Sequence, residues 1–177
     1  MCNNFATFKI GERLGSGALS YATIQGQLGS EAETENGKVW RLYQLNEAAG
    51  NAAPGSKVFQ VVSSALYTVK TGVTIGTTSA HRIVGVAHPD QVDLTQGDLF
   101  WLQVAGRCEV ISSNDGDTID AGDYLRVSGD TDLGKVRTAV SADTTYLADV
   151  TCLIAVDSPA AVDSVTFTAD IIRKLLP

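Results

Sequence analysis

Basic residues are scarce in this chain and are never clustered. Thirteen Lys and Arg stand against twenty Asp and Glu, giving a net charge of −7. Nucleic-acid binding needs grouped cations to neutralise phosphates, and docking on an anionic membrane needs the same, so neither partner is expected. No apolar run approaches the roughly 20 residues that a membrane helix requires. The N-terminus lacks the basic and then apolar segments of a signal peptide. The three cysteines, Cys2, Cys108 and Cys152, are far apart and form no Cys-x-x-Cys. The last two sit in apolar strand-like runs, where a buried free thiol and a reducing compartment are the ordinary expectation.

Chemistry-bearing patterns are missing as well. The two histidines, His81 and His88, are seven positions apart with no third ligand at metal spacing, so no zinc site is expected. His88, before Pro89, reads as a solvated loop residue. Carboxylates at 115, 117 and 120 hint at a calcium loop, but its Gly comes too early and no Glu closes it, which leaves a polar turn. Leu14-Gly15-Ser16-Gly17 is too short for a phosphate loop and lacks its Lys. There is no Gly-x-Ser-x-Gly, and Asp120 and Asp123 are more simply turn caps than a catalytic pair. No catalytic residue, metal or cofactor is expected, and the chain is not read as an enzyme.

What remains is a globular β-protein. Of 177 residues, 44% are hydrophobic and 19% charged, enough for one domain plus an arm without disulfide staples. Glycine is frequent (17) and proline rare (4), as suits many turns between short strands. One phrase occurs twice: Leu94-Thr95-Gln96-Gly97-Asp98 before Leu99 to Val104, and Ile119-Asp120-Ala121-Gly122-Asp123 before Tyr124 to Ser128. Gly supplies a positive φ, and Asp bonds back to the turn's own backbone before a half-buried strand begins. A fainter third copy spans Ala53 to Val61.

Strands are expected at Lys38–Leu45, Lys57–Val62, Leu66–Lys70, Arg82–Ala87, Leu99–Ala105, Arg107–Ile111, Tyr124–Ser128, Lys135–Val140, Val150–Val156 and around Val165–Ala169. Gly72 to Ala80 is an edge strand or a loop. Leu99 to Ala105 is the centre of the core, with Gly106 turning the chain back. Gly85 marks a bulge or a close backbone approach. In Lys38–Leu45, Val39, Arg41 and Tyr43 face one way and Trp40, Leu42 and Gln44 the other, so both faces carry apolar bulk. Ile171, Ile172, Leu175 and Leu176 end the chain as a short helix or as a strand with an apolar tail. Residues 1–37 are set apart as an extended N-terminal arm with scattered anchors, docked on a partner or loose; residues 38–177 form the body, which is expected to fold without the arm. The fold class is all-β: a compact β-barrel or β-sandwich of short antiparallel strands. Trp40, Tyr43, Phe59, Tyr67, Phe100, Trp101 and Tyr124 suit a sugar platform, but their alternation within strands favours core packing.

Several phrases in order carry a resemblance: Glu35-Asn36-Gly37-Lys38-Val39-Trp40-Arg41-Leu42, the loop Ala49 to Gly55, Ile83-Val84-Gly85-Val86-Ala87, Gly97 to Gly106, and Ile119 to Leu125. Together they resemble the head decoration, or capsid cement, proteins of tailed bacteriophages, over roughly residues 35–156. The resemblance implies a β-body on the outer surface of the virion, made in the host cytoplasm and binding the major capsid protein. It implies no catalytic residues, and neighbouring copies grouped as a trimer or dimer. It also implies an arm that clips onto the shell. In this chain the arm anchors would be Phe5, Phe8, Ile10, Leu14, Tyr21 and Ile24, with the apolar end, Leu175 and Leu176, as the other candidate. The alternative is a ligand- or glycan-binding β-module on the virion surface.

Overall fold

The computed structural model describes residues 9–47, 55–61, 67–71, 83–91, 93–113, 118–128, 133–139, 151–159 and 164–173. Ahead of the body come β1 (Arg13–Leu14), a short helix α1 (Tyr21–Gln25) and β2 (Glu31–Glu33). Then follow β3 (Val39–Leu45), β4 (Val58–Val61), β5 (Thr68–Lys70), β6 (Ile83–Ala87) and the 13-residue β7 (Leu99–Ile111). The chain closes with β8 (Tyr124–Val127), β9 (Val136–Thr138), β10 (Thr151–Ala155) and β11 (Thr166–Arg173). The fold is all-β, and among the described strands every pair is antiparallel except β3–β5, which is parallel.

β7 is the spine of two barrels. Its first half closes a ring in the order β3-β5-β4-β6-β7, with β7 returning to β3. Tyr43, Leu45, Phe59, Val69, Phe100, Leu102 and Val104 fill that ring, with the Phe59 and Phe100 centroids 5.1 Å apart. Its second half begins a row β7-β11-β10-β8-β9, and β9 comes back to the end of β7 through the Ser112–Val136 bridge. The Ser113 N–H donates to the Val136 carbonyl at 2.9 Å there. Cys108, Val110, Leu125, Val127, Leu153, Phe167 and Ile171 fill this second roll.

One strand expectation needs correction, and one open alternative is decided. Gly106 does not reverse the chain: at φ 88° it bends β7 within one continuous strand. The reason lies in its neighbours, because β3 pairs β7 as far as Ala105 and β11 takes over at Gly106. Of the two alternatives for the C-terminus, the strand is found, since β11 runs on to Arg173 beside β10.

The repeated Gly-Asp phrase builds the same clasp in each barrel. In the first, the Asp98 N–H donates to the Thr95 carbonyl at 3.0 Å, Gly97 has φ 92°, and Asp98 Oδ2 accepts the Thr95 N–H at 2.7 Å. In the second, Asp123 N–H donates to the Asp120 carbonyl at 3.0 Å, Gly122 has φ 96°, and Asp123 Oδ2 accepts the Asp120 N–H at 2.8 Å. Each turn then grips the end of a distant strand. The Gly97 N–H donates to the Leu45 carbonyl and the Leu45 N–H to Asp98 O, both at 2.9 Å; Gly122, Ala155 and Asp123 repeat this at 2.8 and 2.9 Å. Register follows: Gln44 lies opposite Leu99 and Ile154 opposite Tyr124. The fainter third copy differs. Residues 51–54 lie outside the described residues, and Gly55 and Ser56 take φ 77° and 55° with no Asp to close the turn.

The first 37 residues take part in the body where they are described. β1 pairs β7 at Leu99 and Phe100, on the edge that β6 occupies further along, so it continues the first barrel's ladder. β2 forms a hairpin with β3 through the Asn36-Gly37 turn, with Gly37 at φ 74°. Ile24 is buried, and Ile10, Leu14, Tyr21, Leu28 and Ala32 pack with it over Trp40, Leu42, Leu99 and Trp101. That explains why both faces of β3 are apolar: one looks into the barrel and the other is covered by the arm.

Gly85 is both things the sequence suggested. The β4–β6 register shifts beside it, and a Cβ there would meet Gln103 O at 2.6 Å and Leu102 Cβ at 2.9 Å. Backbone cannot yield as a flexible side chain can, so Gly85→Ala overpacks the β6–β7 seam. The expected cost is about 1–3 kcal/mol, a fall of roughly 3–10 °C in a thermal melt. An unchanged melting temperature would mean that the two strands are not this close.

Candidate functional site

Three surfaces carry side chains that could meet a partner: the seam between arm and body, the groove beside the β2–β3 turn, and the outer face of the second barrel.

At the seam, Arg13 Nη1 donates to Asp98 Oδ2 at 2.8 Å and to Thr95 Oγ1 at 3.2 Å. Asp98 is only 2% exposed, whereas Arg13 is 41% exposed, so the guanidinium approaches a buried carboxylate from the solvent side. The Tyr21 hydroxyl donates to the Gly97 carbonyl, and Gln44 Nε2 donates to the Tyr21 oxygen at 2.8 Å. The first clasp is therefore held by two polar side chains of the arm. Of the anchor residues expected from sequence, Ile10, Leu14, Tyr21 and Ile24 converge here, against the chain's own body. Phe5, Phe8, Leu175 and Leu176 lie outside the described residues. Leu19, at the tip of the loop between β1 and α1, stands wholly in solvent.

The groove has a volume of about 650 Å³ and lies between Ile10, the Glu33–Lys38 hairpin turn, Trp40 and His88. Thr34 Oγ1 and the Lys38 N–H both donate to Asn36 Oδ1, which sets the turn. His88 is not a freely solvated loop residue. Its ring packs against Trp40 at 5.6 Å between centroids, and its Nδ1 accepts the Asp90 N–H at 3.1 Å. A sugar needs an open aromatic face, and Trp40, Tyr43, Phe59, Phe100 and Trp101 are all buried. Among the described residues no three of His, Cys, Asp and Glu are placed to share a metal ion. His81 and residues 114–117 of the candidate calcium loop fall outside the description.

On the second barrel, Tyr124, Ile154 and Asp170 stand in one row across β8, β10 and β11, and Arg107 on β7 completes it. Tyr124 is 48% exposed and Ile172, one step further along β11, 46%. Arg107 Nε donates to Asp170 Oδ1 at 3.2 Å, and that bond and charge raise the guanidinium's pKa. On the first barrel's side, burial works against the Arg41 charge, but Glu31 and Tyr43 outweigh it and its pKa also rises. Sequence reasoning missed this outer face. The signal was present in the repeated Gly-Asp phrase, but the strands that the turns grip lie far away in the chain.

Cys108 is a buried thiol that donates to the Ala169 carbonyl at 3.4 Å. Burial pushes its pKa from 9.0 up to about 12. The thiolate is the reactive form, so Cys108 should resist a thiol reagent at pH 8 in the folded chain and react once denatured. Peptide mass spectrometry checks this, and rapid native labelling would contradict it. Because the folded pKa is the higher one, the contribution to stability is complete below pH 9.0 and is lost as pH rises towards about 12.

No family model matches the sequence, and no curated protein matches it. Among solved structures, the chain is similar to the N base of the head fiber gp8.5 of bacteriophage phi29. The identity is 17% and the TM-score 0.45, over 79% of this chain and 98% of that one. A likeness this distant assigns neither partner nor place to this chain.

Proposed function

We propose that this chain is a structural protein of a virion, a capsid decoration or cement protein that binds the outer surface of the major capsid protein shell and stabilises it. One observation carries the reading. Four of the five ordered phrases that resemble phage head decoration proteins fall in the turn into β3 and β3 itself, in β6, in the first clasp with the first half of β7, and in the second clasp leading into β8; of the fifth, Ala49 to Gly55, only Gly55 lies within the described residues. Most of the resemblance thus rests on residues that build the fold. The partners are the major capsid protein and neighbouring copies of this chain. Shell sites are many and identical, so modest contacts per copy add through multivalency. The net charge of −7 keeps the decorated particle soluble. Burial of Trp40, Tyr43, Phe59, Phe100 and Trp101, five of the seven candidate platform aromatics, counts against the glycan-binding alternative.

The test is co-sedimentation of the purified chain with shells that lack it. Saturable binding is expected, with the shells gaining resistance to heat; a chain that stays in the supernatant at micromolar concentration would overturn the reading. With Ile10, Leu14, Tyr21 and Ile24 turned inward, Leu19 is the fully exposed apolar anchor among the arm's described residues. Leu19→Asp should leave the melting temperature unchanged and weaken shell binding about tenfold, the size of one interface side chain worth about 1.4 kcal/mol.

A further inference from the structure

We propose that the outer face of the second barrel is a docking site for a polypeptide segment of a partner protein, one that brings a guanidinium or ammonium group followed by aliphatic side chains. The two clasps make the argument. They match bond for bond, and their registers make Leu99 and Gln44 of the first barrel the counterparts of Tyr124 and Ile154 of the second. In the first barrel the outward row is covered by the chain's own residues 9–28, which supply Arg13 to the turn carboxylate, Tyr21 to the turn carbonyl and Ile24 to the apolar row. In the second barrel Tyr124 is exposed and Ile154 half-buried. Among the described residues the Asp123 carboxylate takes only the turn's own N–H, and Tyr124 remains half in solvent.

The chemistry of the occupant follows from that of the first cover. Asp120 and Asp123 offer negative charge at one end of the row, which a single cation complements, while Tyr124, Ile154 and Ile172 offer apolar surface along it. The occupant lies on the face and adds no strand, because β9 already pairs the β8 edge that corresponds to the one β1 fills on β7.

The probe is a synthetic peptide of residues 9–28, which carries this chemistry, titrated into the isotope-labelled full-length chain while amide shifts are followed. Saturable shifts are expected at Asp120 to Val127 and at Ile154. Asp123→Asn in the protein and Arg13→Ala in the peptide should each weaken binding about tenfold. The peptide variant keeps the test decisive should the protein variant fold poorly. No shift at the second clasp up to about 1 mM peptide, a dissociation constant too weak for a specific site, would overturn the proposal. So would shifts confined to Leu99–Trp101, or binding indifferent to both substitutions. Self-association abolished by Tyr124→Glu would give the face to a second copy of the chain and would equally overturn it.

Discussion

A chain shortened to begin at residue 29 is expected to lose its soluble, cooperatively folding state. Three losses coincide. Trp40, Leu42, Leu99 and Trp101 lose their cover and become one contiguous apolar patch. Patches of that kind on a monomer drive association once they exceed a few hundred Å². The edge of β7 at Leu99 and Phe100 loses β1 and presents unpaired backbone to any passing strand. The Asp98 carboxylate, 2% exposed, is left without Arg13. Ordering the arm costs conformational entropy, which offsets part of the burial. What remains is on the order of a few kcal/mol, a large share of the 5–15 kcal/mol that holds a domain together. Gel filtration and a thermal melt check this. Aggregation, or a melting temperature lower by about 10 °C or more, is the expected result. A monomeric truncated chain with the full-length melting temperature would show that the arm is a detachable clip, as the sequence alone suggests.

The second large effect is a contrast between the two clasps. Asp98→Ala removes a buried carboxylate that serves the Thr95 N–H and Arg13 together. Buried hydrogen bonds to charged groups are worth about 1.5–3 kcal/mol, and the ion pair adds to that with a discount for the exposed guanidinium. The expected cost is about 2–4 kcal/mol, or roughly 5–15 °C in melting temperature. Asp123→Ala removes the same turn bond from a clasp where, among the described residues, no guanidinium bonds the carboxylate, and about 0.5–1.5 kcal/mol is expected. Equal losses in the two variants would mean that Arg13 adds nothing to the first clasp and that the seam is held by apolar packing alone.

How much of this was legible beforehand depended on the range of each interaction. The closure of the Gly-Asp turns could be read, down to the carboxylate that caps its own turn, because the residues that close each turn lie within three positions of one another. Most strands followed from apolar alternation, and Gly85 from its place inside such a run. Four features did not. Gly106 looked like a turn because a glycine between two β-rich runs usually is one; here it bends a single strand where one neighbour replaces another. The arm looked detachable because its anchors are sparse, yet Ile10, Leu14, Tyr21 and Ile24 find their partners about 10 to 90 residues away. The double-faced apolar pattern of β3 was visible, but only the fold shows that the second face is answered by the arm. His88 looked solvated because nothing near it in sequence announces Trp40 as its neighbour. Local chemistry was readable, and side chains that meet across barrels were not.

Counting copies in purified particles tests most directly whether this chain belongs to a shell. Quantitative mass spectrometry of intact virions should find it in near-stoichiometric ratio to the coat protein, released when the outer surface is stripped. Intact, infectious particles without it would contradict a structural role on the capsid.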